Sequence, residues 1–314
     1  MASGFATAGT GGLDAAMTLD PRHLRILLAV VRSGSFSAAA EALGMSQPSV
    51  SVTIAQLEDK LGHAVLTRGR KGGQLTDEGR ILMRHAEAME AVLAEATREI
   101  SARARGAPGP VVIGGTPGAL MAIAPAALAR LQARAGPVDV SLIEMADDAL
   151  TEALRRRSIA MALCPARMGA LEPDLEEIPL ISEPFVLVSG PGSLPPGGLG
   201  IPDAAARPWV FPLQPGETRR QLEAVFIGAG VPAPRDVIRC DNLSVQKEIL
   251  RHGGAIALLP RSVVAPELER GTLMSAPLHG GPPPRRLVAL KLRSVALSPV
   301  AGQFLSQAFE AQEL

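Results

Sequence analysis

Residues 34–62 contain two short apolar helical patterns on either side of a glycine turn, and this arrangement constrains the fold more than any other part of the chain. Ser35 is placed to cap the first helix, and Gly44 stands where a left-handed residue ends it. Ser46 is placed to cap the second helix, with Pro48 in its first turn, where a missing N–H does no harm. The apolar positions recur at helical spacing: Phe36, Ala39, Ala40, Leu43, Val50, Ile54, Leu57 and Leu61. The spacing predicts two packed helices joined by a tight turn.

The start of the second helix carries polar side chains that the apolar stripe leaves outside. A helix-turn-helix with this surface can insert its second helix into a DNA major groove. Gln47 can then bond an adenine edge through its amide, and Pro48 can contact a thymine methyl. Hydroxyl groups that can reach phosphates or bases are those of Ser35, Ser46, Ser49, Ser51 and Thr53. Simple solvent exposure without a DNA contact is the alternative for Ser49, Ser51 and Gln47.

A basic hairpin follows the two helices. Two short extended segments between Val65 and Leu75 enclose a glycine-rich tip, which predicts a β-hairpin wing. We expect Arg68, Arg70 and Lys71 on this tip to contact the DNA backbone or minor groove. Residues 20–75 hold seven Lys or Arg and four Asp or Glu, and none of the basic residues lies between positions 33 and 59. Recognition therefore depends on neutral hydrogen bonds and on the charge of the wing.

A long helix is predicted from Thr76, its cap, to about Arg105. Its apolar residues recur at alternating spacings of four and three: Leu82, Ala86, Met89, Leu93, Ala96 and Ile100. Such a heptad seam favours pairing with a partner helix, and a dimer would hold two recognition helices about one DNA turn apart. Packing of the helix on its own domain is the alternative.

From residue 110 the pattern changes to strands that alternate with helices, which predicts parallel strands covered by helices on both faces. A Pro/Gly-rich stretch that ends near Gly200 separates two such series, so we expect two α/β lobes. The fold class is α/β overall, with an all-α winged helix-turn-helix at the N-terminus and a long linker helix. We expect a disordered extension over 1–19, a DNA-binding domain over 20–75, a linker and dimerisation helix over 76–106, and an α/β domain over 110–314, to which the family resemblance given next assigns effector binding.

The motif string of residues 20–80 resembles the LysR-type bacterial transcriptional regulators. The resemblance rests on Ser-Phe-Ser-Ala-Ala-Ala-Glu-Ala-Leu, on Ser-Gln-Pro-Ser-Val-Ser, and on Leu75–Gly79. It implies that the chain crosses twice between the lobes, as in periplasmic binding proteins, with lobe I formed by 110–184 and 285–314 and lobe II by 185–284. It also implies a homodimer or homotetramer on double-stranded promoter DNA, a small-molecule effector between the lobes, and an effect on RNA polymerase. The position after Ser51 often carries a basic residue in this family, whereas here it is Val52.

The effector candidates lie in turns between strands and helices, where ligands bind in open α/β folds. They are Thr116, Pro117, Gly118, Gln214, Thr218, Arg219 and Asn242. We expect Thr116 and Asn242 to contact a small organic acid across the cleft, although ordinary turn and cap chemistry is the alternative for each residue. The loop Gly216–Arg219 resembles that of regulators of aromatic-acid and sugar catabolism.

Other classes of protein find little support in the sequence. The five histidines are scattered, and no nucleophile elbow or phosphate loop occurs, so we expect no catalytic activity, metal or cofactor. Cys164 and Cys240 are expected to be reduced rather than a redox pair. No apolar run reaches the ~18 residues of a membrane span, and we expect a cytoplasmic protein without a membrane partner. The alternative function is a cytosolic small-molecule-binding protein, similar to a solute receptor, with only weak DNA binding.

Overall fold

The computed structural model describes residues 19–67, 73–104, 108–167 and 169–310. The chain divides into two compact units, Met1–Ala94 and Glu95–Leu314. Each unit is described by itself. The wing residues Arg68, Arg70 and Lys71 and the extension before Leu19 lie outside the described residues.

The first unit is a helical domain whose ends are capped as the sequence predicts. Its helices are α1 (Pro21–Ser33), α2 (Phe36–Leu43), α3 (Gln47–Leu61) and the first turns of α4 (Asp77–Ala104). The Ser35 hydroxyl accepts a hydrogen bond from Ala38 N, and the Ser46 hydroxyl accepts one from Ser49 N. Gly44 ends α2 in the left-handed conformation, at φ 64°. These caps confirm the helix-turn-helix and fix where α3 begins.

The core of this unit is formed by the apolar stripes of the four helices. Leu27, Val50 and Leu57 are completely buried. Leu43 is the exception among the predicted stripe positions, because it is the last residue of a two-turn helix and remains exposed. The stem of the wing is present as an antiparallel bridge between Leu66 and Leu75.

Helix α4 is capped by the Thr76 hydroxyl, which accepts a hydrogen bond from Gly79 N at 3.0 Å. Its heptad residues differ in burial. Leu82 and Ala86 are buried in the core of the first unit and Met89 packs against that core, whereas Leu93, Ala96 and Ile100 are exposed. The expectation that the whole seam meets a partner helix is therefore wrong for Leu82 and Ala86, because helices α1–α3 already cover them.

The second unit begins with an α/β lobe, called lobe I here. Its strands are β1 (Val111–Gly115), β2 (Val140–Glu144), β3 (Met161–Pro165), β4 (Leu175–Glu183) and, from the end of the chain, β12 (Arg285–Leu292). They are ordered β2-β1-β3-β12-β4. Its helices are α5 (Pro117–Ala135), α6 (Asp147–Arg155) and α11 (Pro299–Glu310). Strands β1, β2 and β3 are parallel, as predicted, but β12 runs antiparallel to both β3 and β4. The chain re-enters the lobe from the opposite direction, so a purely parallel sheet is excluded.

Lobe II lies between β4 and β12 in the chain. Its strands are β5 (Phe185–Ser189), β6 (Leu199–Gly200), β7 (Trp209–Phe211), β8 (Val237–Arg239), β9 (Ala257–Pro260), β10 (Met274–Ala276) and β11 (Leu278–His279). Its helices are α7 (Ile201–Ala205), α8 (Glu217–Gly228), α9 (Leu243–His252) and α10 (Arg261–Glu269). Strand β5 pairs antiparallel with β9 and β10, and β7 pairs parallel with β8. Trp209 contacts Phe211 and Phe226 in the core of this lobe.

Two neighbouring strands connect the lobes. Strand β4 leads out of lobe I and β12 leads back, and the two are paired from Leu175 and Leu292 to Glu183 and Arg285. This pair of strands is called the hinge ribbon here. It confirms two α/β lobes with a double crossover.

Candidate functional site

The hydroxyl groups at the start of α3 bond to one another and to the backbone. Ser46 Oγ lies 2.8 Å from Ser49 Oγ, and Thr53 Oγ1 donates to the Ser49 carbonyl at 2.8 Å. Ser51 is half-buried, whereas Gln47 is exposed. Ser35 holds the start of α2 through its bond from Ala38 N at 3.1 Å. The Gln47 amide is thus the longest exposed polar side chain among the predicted contacts on this helix.

The outer face of α3 includes residues that the sequence reasoning did not select. A shallow groove joins this face to the start of α1, and it is lined by Asp20, Arg22, His23, Met45, Ser46, Pro48, Ser49, Val52, Thr53 and Gln56. Val52 is 54% exposed, on the side of α3 opposite the buried Val50 and Ile54. Helical periodicity alone places Ser49, Val52 and Gln56 on one face, and that signal could have identified Val52 and Gln56.

A cavity of about 320 Å³ lies between lobe I and lobe II. Predicted residues that line it are Thr116, Pro117, Gly118, Gln214, Thr218 and Arg219. Other polar or charged residues around it are Glu144, Asp147, Asp241, Gln246 and Arg285. A cavity of this size, mostly apolar with a few convergent polar groups, is typical of a small-molecule site.

Two predicted contacts have other roles in the structure. Asn242 does not line the cavity, because its side-chain oxygen caps α9 by accepting a hydrogen bond from Val245 N at 3.0 Å. Its position therefore does not support the expected contact with an effector. Arg219 does line the cavity, but its Nε donates to Glu223 and its Nη1 to the Leu213 carbonyl, each at 2.8 Å. Two of its five N–H groups thus bond within lobe II.

A buried ion pair lies at the end of the hinge ribbon, and its arginine, Arg285, lines the cavity. Arg285 is 3% exposed, and its Nε donates to Glu183 Oε1 at 2.6 Å. The other Glu183 oxygen accepts a hydrogen bond from the Ser262 hydroxyl. Burial lowers the pKa of the Arg285 guanidinium, and the charge of Glu183 opposes that effect. This pair was not predicted, because its two residues are 102 positions apart in the chain.

Two polar atoms at this end of the cavity are buried without a hydrogen-bond partner among the described residues. They are Thr116 Oγ1 and Arg285 Nη2. Nη2 lies 2.5 Å from Glu183 Oε1 but is not aligned to donate to it. A Cβ on Gly118 would lie 3.0 Å from Nη2, so the guanidinium sits directly against the first turn of α5.

The two lobes are also joined by a hydrogen bond at the edge of the cavity. Asp147 Oδ2, at the start of α6 in lobe I, accepts from Glu217 N, at the start of α8 in lobe II, at 2.8 Å. Burial raises the pKa of the Asp147 carboxyl, and the nearby Glu217 carboxylate adds to that rise. A hydrogen bond between separate strand-helix units cannot be read from local sequence.

Cys164 does not have the surroundings of a reactive thiol. Cys164 is buried, and its burial raises the pKa of the thiol to about 12. Cys240 lies in lobe II and is also a free thiol. Across the described ranges, no cluster of three or more His, Cys, Asp or Glu side chains could hold a metal ion. None of the helices in those ranges is both long and apolar enough to cross a bilayer.

Comparison with known families decides the identity of the chain. The model of the bacterial regulatory helix-turn-helix protein, lysR family, matches residues 21–80, and that of the LysR substrate binding domain matches residues 104–313. The chain belongs to the LysR family. This LysR-family protein is a DNA-binding transcriptional regulator with a C-terminal effector-binding domain.

Curated relatives match this LysR-family regulator over most of its length. The SDS degradation transcriptional activation protein of a Pseudomonas species is 31% identical over 304 residues, covering 93% of this chain and 94% of the relative. The transcriptional regulator PcaQ of Agrobacterium fabrum is 29% identical over 264 residues, covering 83% of this chain and 84% of PcaQ. Both are regulators by name, in agreement with the family assignment.

Solved structures of the same fold support the two-unit architecture of this LysR-family regulator. ArgP from Mycobacterium tuberculosis has a TM-score of 0.71 at 20% identity and covers 94% of this chain, with 97% of ArgP matched. Full-length CbnR complexed with target DNA has a TM-score of 0.65 at 21% identity and covers 93% of this chain, with 100% of CbnR matched. At such identities the likeness concerns the fold.

Proposed function

We propose that this regulator reads promoter DNA with the exposed start of α3, and that Gln47 makes the principal base contact. The observation that carries the proposal is the exposed Gln47 amide on a helix whose start is fixed by the Ser46 cap. A long amide can bond an adenine edge through two hydrogen bonds, whereas the shorter hydroxyls of Ser46, Ser49 and Thr53 already make local bonds. The proposed supporting contacts are those of Ser35, Ser46, Pro48, Ser49, Ser51 and Thr53 and of the wing residues Arg68, Arg70 and Lys71.

We further propose that the cavity between the lobes holds a small organic acid as effector. Its size and its mixed apolar and polar lining support this assignment. The solved regulator LysG from Corynebacterium glutamicum, which has the same fold, is described with a bound effector. The contacts proposed for the effector are Thr116, Pro117, Gly118, Gln214, Thr218 and Arg219. An effector that prefers one lobe arrangement shifts the population toward it and alters access of RNA polymerase to the promoter.

The proposed assembly is a homodimer or homotetramer that pairs through the distal part of α4. Leu93, Ala96 and Ile100 are exposed there, and Ile100 is 71% exposed. A large apolar side chain at this level of exposure on a helix favours a protein partner. The proposed role is regulatory and not catalytic. Because promoter DNA is the proposed partner, the proposed location is the cytoplasm.

A gel-shift and footprint titration on the intergenic DNA upstream of the gene tests the proposal, with salt concentration varied. We expect a protected stretch with dyad symmetry. Gln47→Ala should weaken binding to that stretch by about 1–3 kcal/mol and leave binding to scrambled DNA unchanged. Gln132→Ala is the matched control, since it makes the same chemical change on the exposed surface of α5.

Two outcomes would contradict the proposal. Equal losses of affinity for specific and scrambled DNA in Gln47→Ala would show that Gln47 makes no base-specific contact. Weak binding that is indifferent to sequence, together with binding of small molecules, would favour the alternative of a protein similar to a solute receptor.

A further inference from the structure

We infer that Arg285, at the end of the hinge ribbon, is the anion receptor of the cleft, and that it passes ligand binding to lobe II through Glu183 and Ser262. The inference rests on the proposed function, because it assigns a specific binding position to the acidic group of the effector. Of the two residues that the sequence favoured for contact with an organic acid, Thr116 keeps that role here and Asn242 does not. The side-chain oxygen of Asn242 caps α9, and Arg219 makes hydrogen bonds within lobe II.

The first step is the incomplete hydrogen bonding of the Arg285 guanidinium, whose charge is paired with Glu183. The guanidinium is almost completely buried, and its one carboxylate partner contacts it from a single oxygen, Glu183 Oε1. Nη2 has no aligned acceptor among the residues that the structure describes. A buried guanidinium has five N–H donors, and leaving them unbonded is costly, so a second acceptor at Nη2 would be strongly bound.

The second step is that two further donors face the same place. Thr116 Oγ1 is buried and without a partner in the described ranges. The first turn of α5 presents the Gly118 N–H, which has no partner within its own helix. A cation and the positive end of a helix repel each other, and an anion that contacts both offsets this repulsion. The geometry therefore suits a carboxylate, which has two oxygens for these three donors.

The third step concerns the rest of the ligand. The rest of the cavity is lined by the apolar side chains of Val210, Leu222 and Leu258 and by polar groups that include the carboxyls of Glu144, Asp147 and Asp241. Apolar walls favour a body without further charges, and the acidic side chains disfavour a second carboxylate. The ligand class is therefore a monocarboxylate with a small apolar body, rather than a dicarboxylate.

The fourth step is the position of the receptor in the fold. Arg285 is the first residue of β12, and its register partner Glu183 is the last residue of β4. The second Glu183 oxygen is bonded to Ser262, which lies on α10 of lobe II. A carboxylate at Nη2 competes with Glu183 for the guanidinium and so changes the contact that links the hinge to lobe II.

The test uses thermal unfolding of the full chain with acetate, benzoate or succinate at about 10 mM, enough to fill a millimolar site. Each acid is compared with its neutral amide, and sodium chloride corrects for ionic strength. We expect benzoate to raise the unfolding temperature more than succinate, and benzamide to have no effect. A stabilisation by benzamide equal to that by benzoate, or no stabilisation by any of the three acids, would overturn the inference.

Variants locate the receptor. Arg285→Met alone would leave Glu183 buried without a counter-charge, so the double variant Arg285→Met/Glu183→Gln keeps the pair neutral. We expect it to bind benzoate at least about tenfold more weakly in titration calorimetry. Arg155→Met is the matched control, because Arg155 pairs with Glu172 and Asp174 and does not line the cavity. Loss of binding in Arg219→Met with retention in the double variant would assign the receptor to Arg219 instead.

Glu183→Gln tests the transmission separately. It keeps Arg285 and frees its guanidinium, so we expect benzoate to bind at least as tightly as to the wild type. The change in promoter affinity that benzoate causes, measured by fluorescence anisotropy, should fall. A full response in Glu183→Gln would overturn the transmission through Glu183. If the wild type lacks sequence-specific DNA binding while benzoate still stabilises it, the proposed function fails and the receptor stands.

Discussion

The Asp147 carboxylate of lobe I caps helix α8 of lobe II, since its Oδ2 accepts a hydrogen bond from Glu217 N at 2.8 Å. The residue at the N-cap position of α8 is Gly216, which has no side chain to make this bond. One lobe thus supplies the cap that the other lacks. The contact joins the two lobes at the edge of the cavity. It therefore opposes separation of the lobes, whereas the hinge ribbon connects them covalently.

Replacing Asp147 should reveal a pH-dependent term in stability. The pKa of its carboxyl is raised above the ordinary value of 3.8, mainly by burial, so the folded state binds this proton more tightly than the unfolded state. The stabilising effect of the bound proton is complete below pH 3.8 and is lost as the pH rises through the folded pKa. Asp147→Asn does not titrate and keeps an oxygen acceptor. Its stability relative to the wild type should therefore increase with pH across this window.

Thermal unfolding of both proteins between pH 4 and pH 7 checks this expectation. Asp147→Ala is the companion variant, and the loss of the cap should cost about 0.5–2 kcal/mol. A relative stability of Asp147→Asn that decreases with rising pH would contradict the direction of the pKa shift.

Gly216 is expected to be coupled to Asp147. A Cβ at position 216 would lie 2.6 Å from Asp147 Oδ2, although the extended backbone at φ 179° accepts any residue. Gly216→Ala should therefore destabilise the protein only while Asp147 is present, with a coupling energy of about 0.5–3 kcal/mol in a double-mutant cycle with Asp147→Ala. Gly228→Ala, at the other end of α8, meets nothing within 4 Å and serves as the control. Additive effects in the cycle would show that the contact is unimportant.

The heptad of α4 should separate into two groups under mutation. Leu82→Ala opens a cavity in the core of the first unit and should cost about 2–5 kcal/mol of unfolding free energy. Ile100→Lys should leave that unfolding transition unchanged and weaken self-association, because Ile100 is 71% exposed. Urea unfolding followed by circular dichroism and sedimentation velocity over a range of concentrations measure the two effects. Unchanged association in Ile100→Lys would place the dimer contact elsewhere.

Val52→Lys should increase affinity for DNA of any sequence. Val52 is 54% exposed on the outer face of α3, and α3 lacks Lys and Arg before Lys60. One added phosphate contact should steepen the dependence of log K on log salt by about 0.9. The salt dependence on random DNA measures this, with Ile238→Lys, an exposed apolar position in lobe II, as the control. An unchanged slope would show that this face of α3 does not approach the backbone.

Thr116→Val should separate stability from ligand binding. The replaced hydroxyl is buried and has no partner in the part of the chain that the structure describes, so its removal should leave stability equal or increased. Binding of a carboxylate should weaken by roughly 1 kcal/mol, the usual contribution of one hydrogen bond. Thermal unfolding and calorimetry give the two readings. An unchanged affinity for the carboxylate would show that Thr116 does not contact the ligand.

The features that were predicted from the sequence are those whose causes are local. The caps at Ser35, Ser46 and Thr76 and the turn at Gly44 depend on a few neighbouring residues, and all are present. The heptad of α4 was recognised, but periodicity states only which face is apolar and not what covers it. Leu82 consequently faces its own domain.

The polar end of the cavity was only half predicted, for a related reason. Thr116 to Gly118 follow a strand and open a helix, a local signal. Arg285 reaches the same place because β12 enters lobe I antiparallel, next to β4. The antiparallel pairing follows from the return of the chain to lobe I, which no window of sequence contains. Asp147 was missed likewise, because its partner belongs to the other lobe.

The hinge ribbon also limits what this regulator can signal. Strands β4 and β12 are paired up to Glu183 and Arg285, with one register shift between Leu287 and Val288, so the two crossings leave lobe I side by side. We therefore expect lobe II to move mainly by rotation about the end of this pair of strands. Ligands of different shape would then change only the angle between the lobes, so the response of the regulator would vary along a single conformational coordinate.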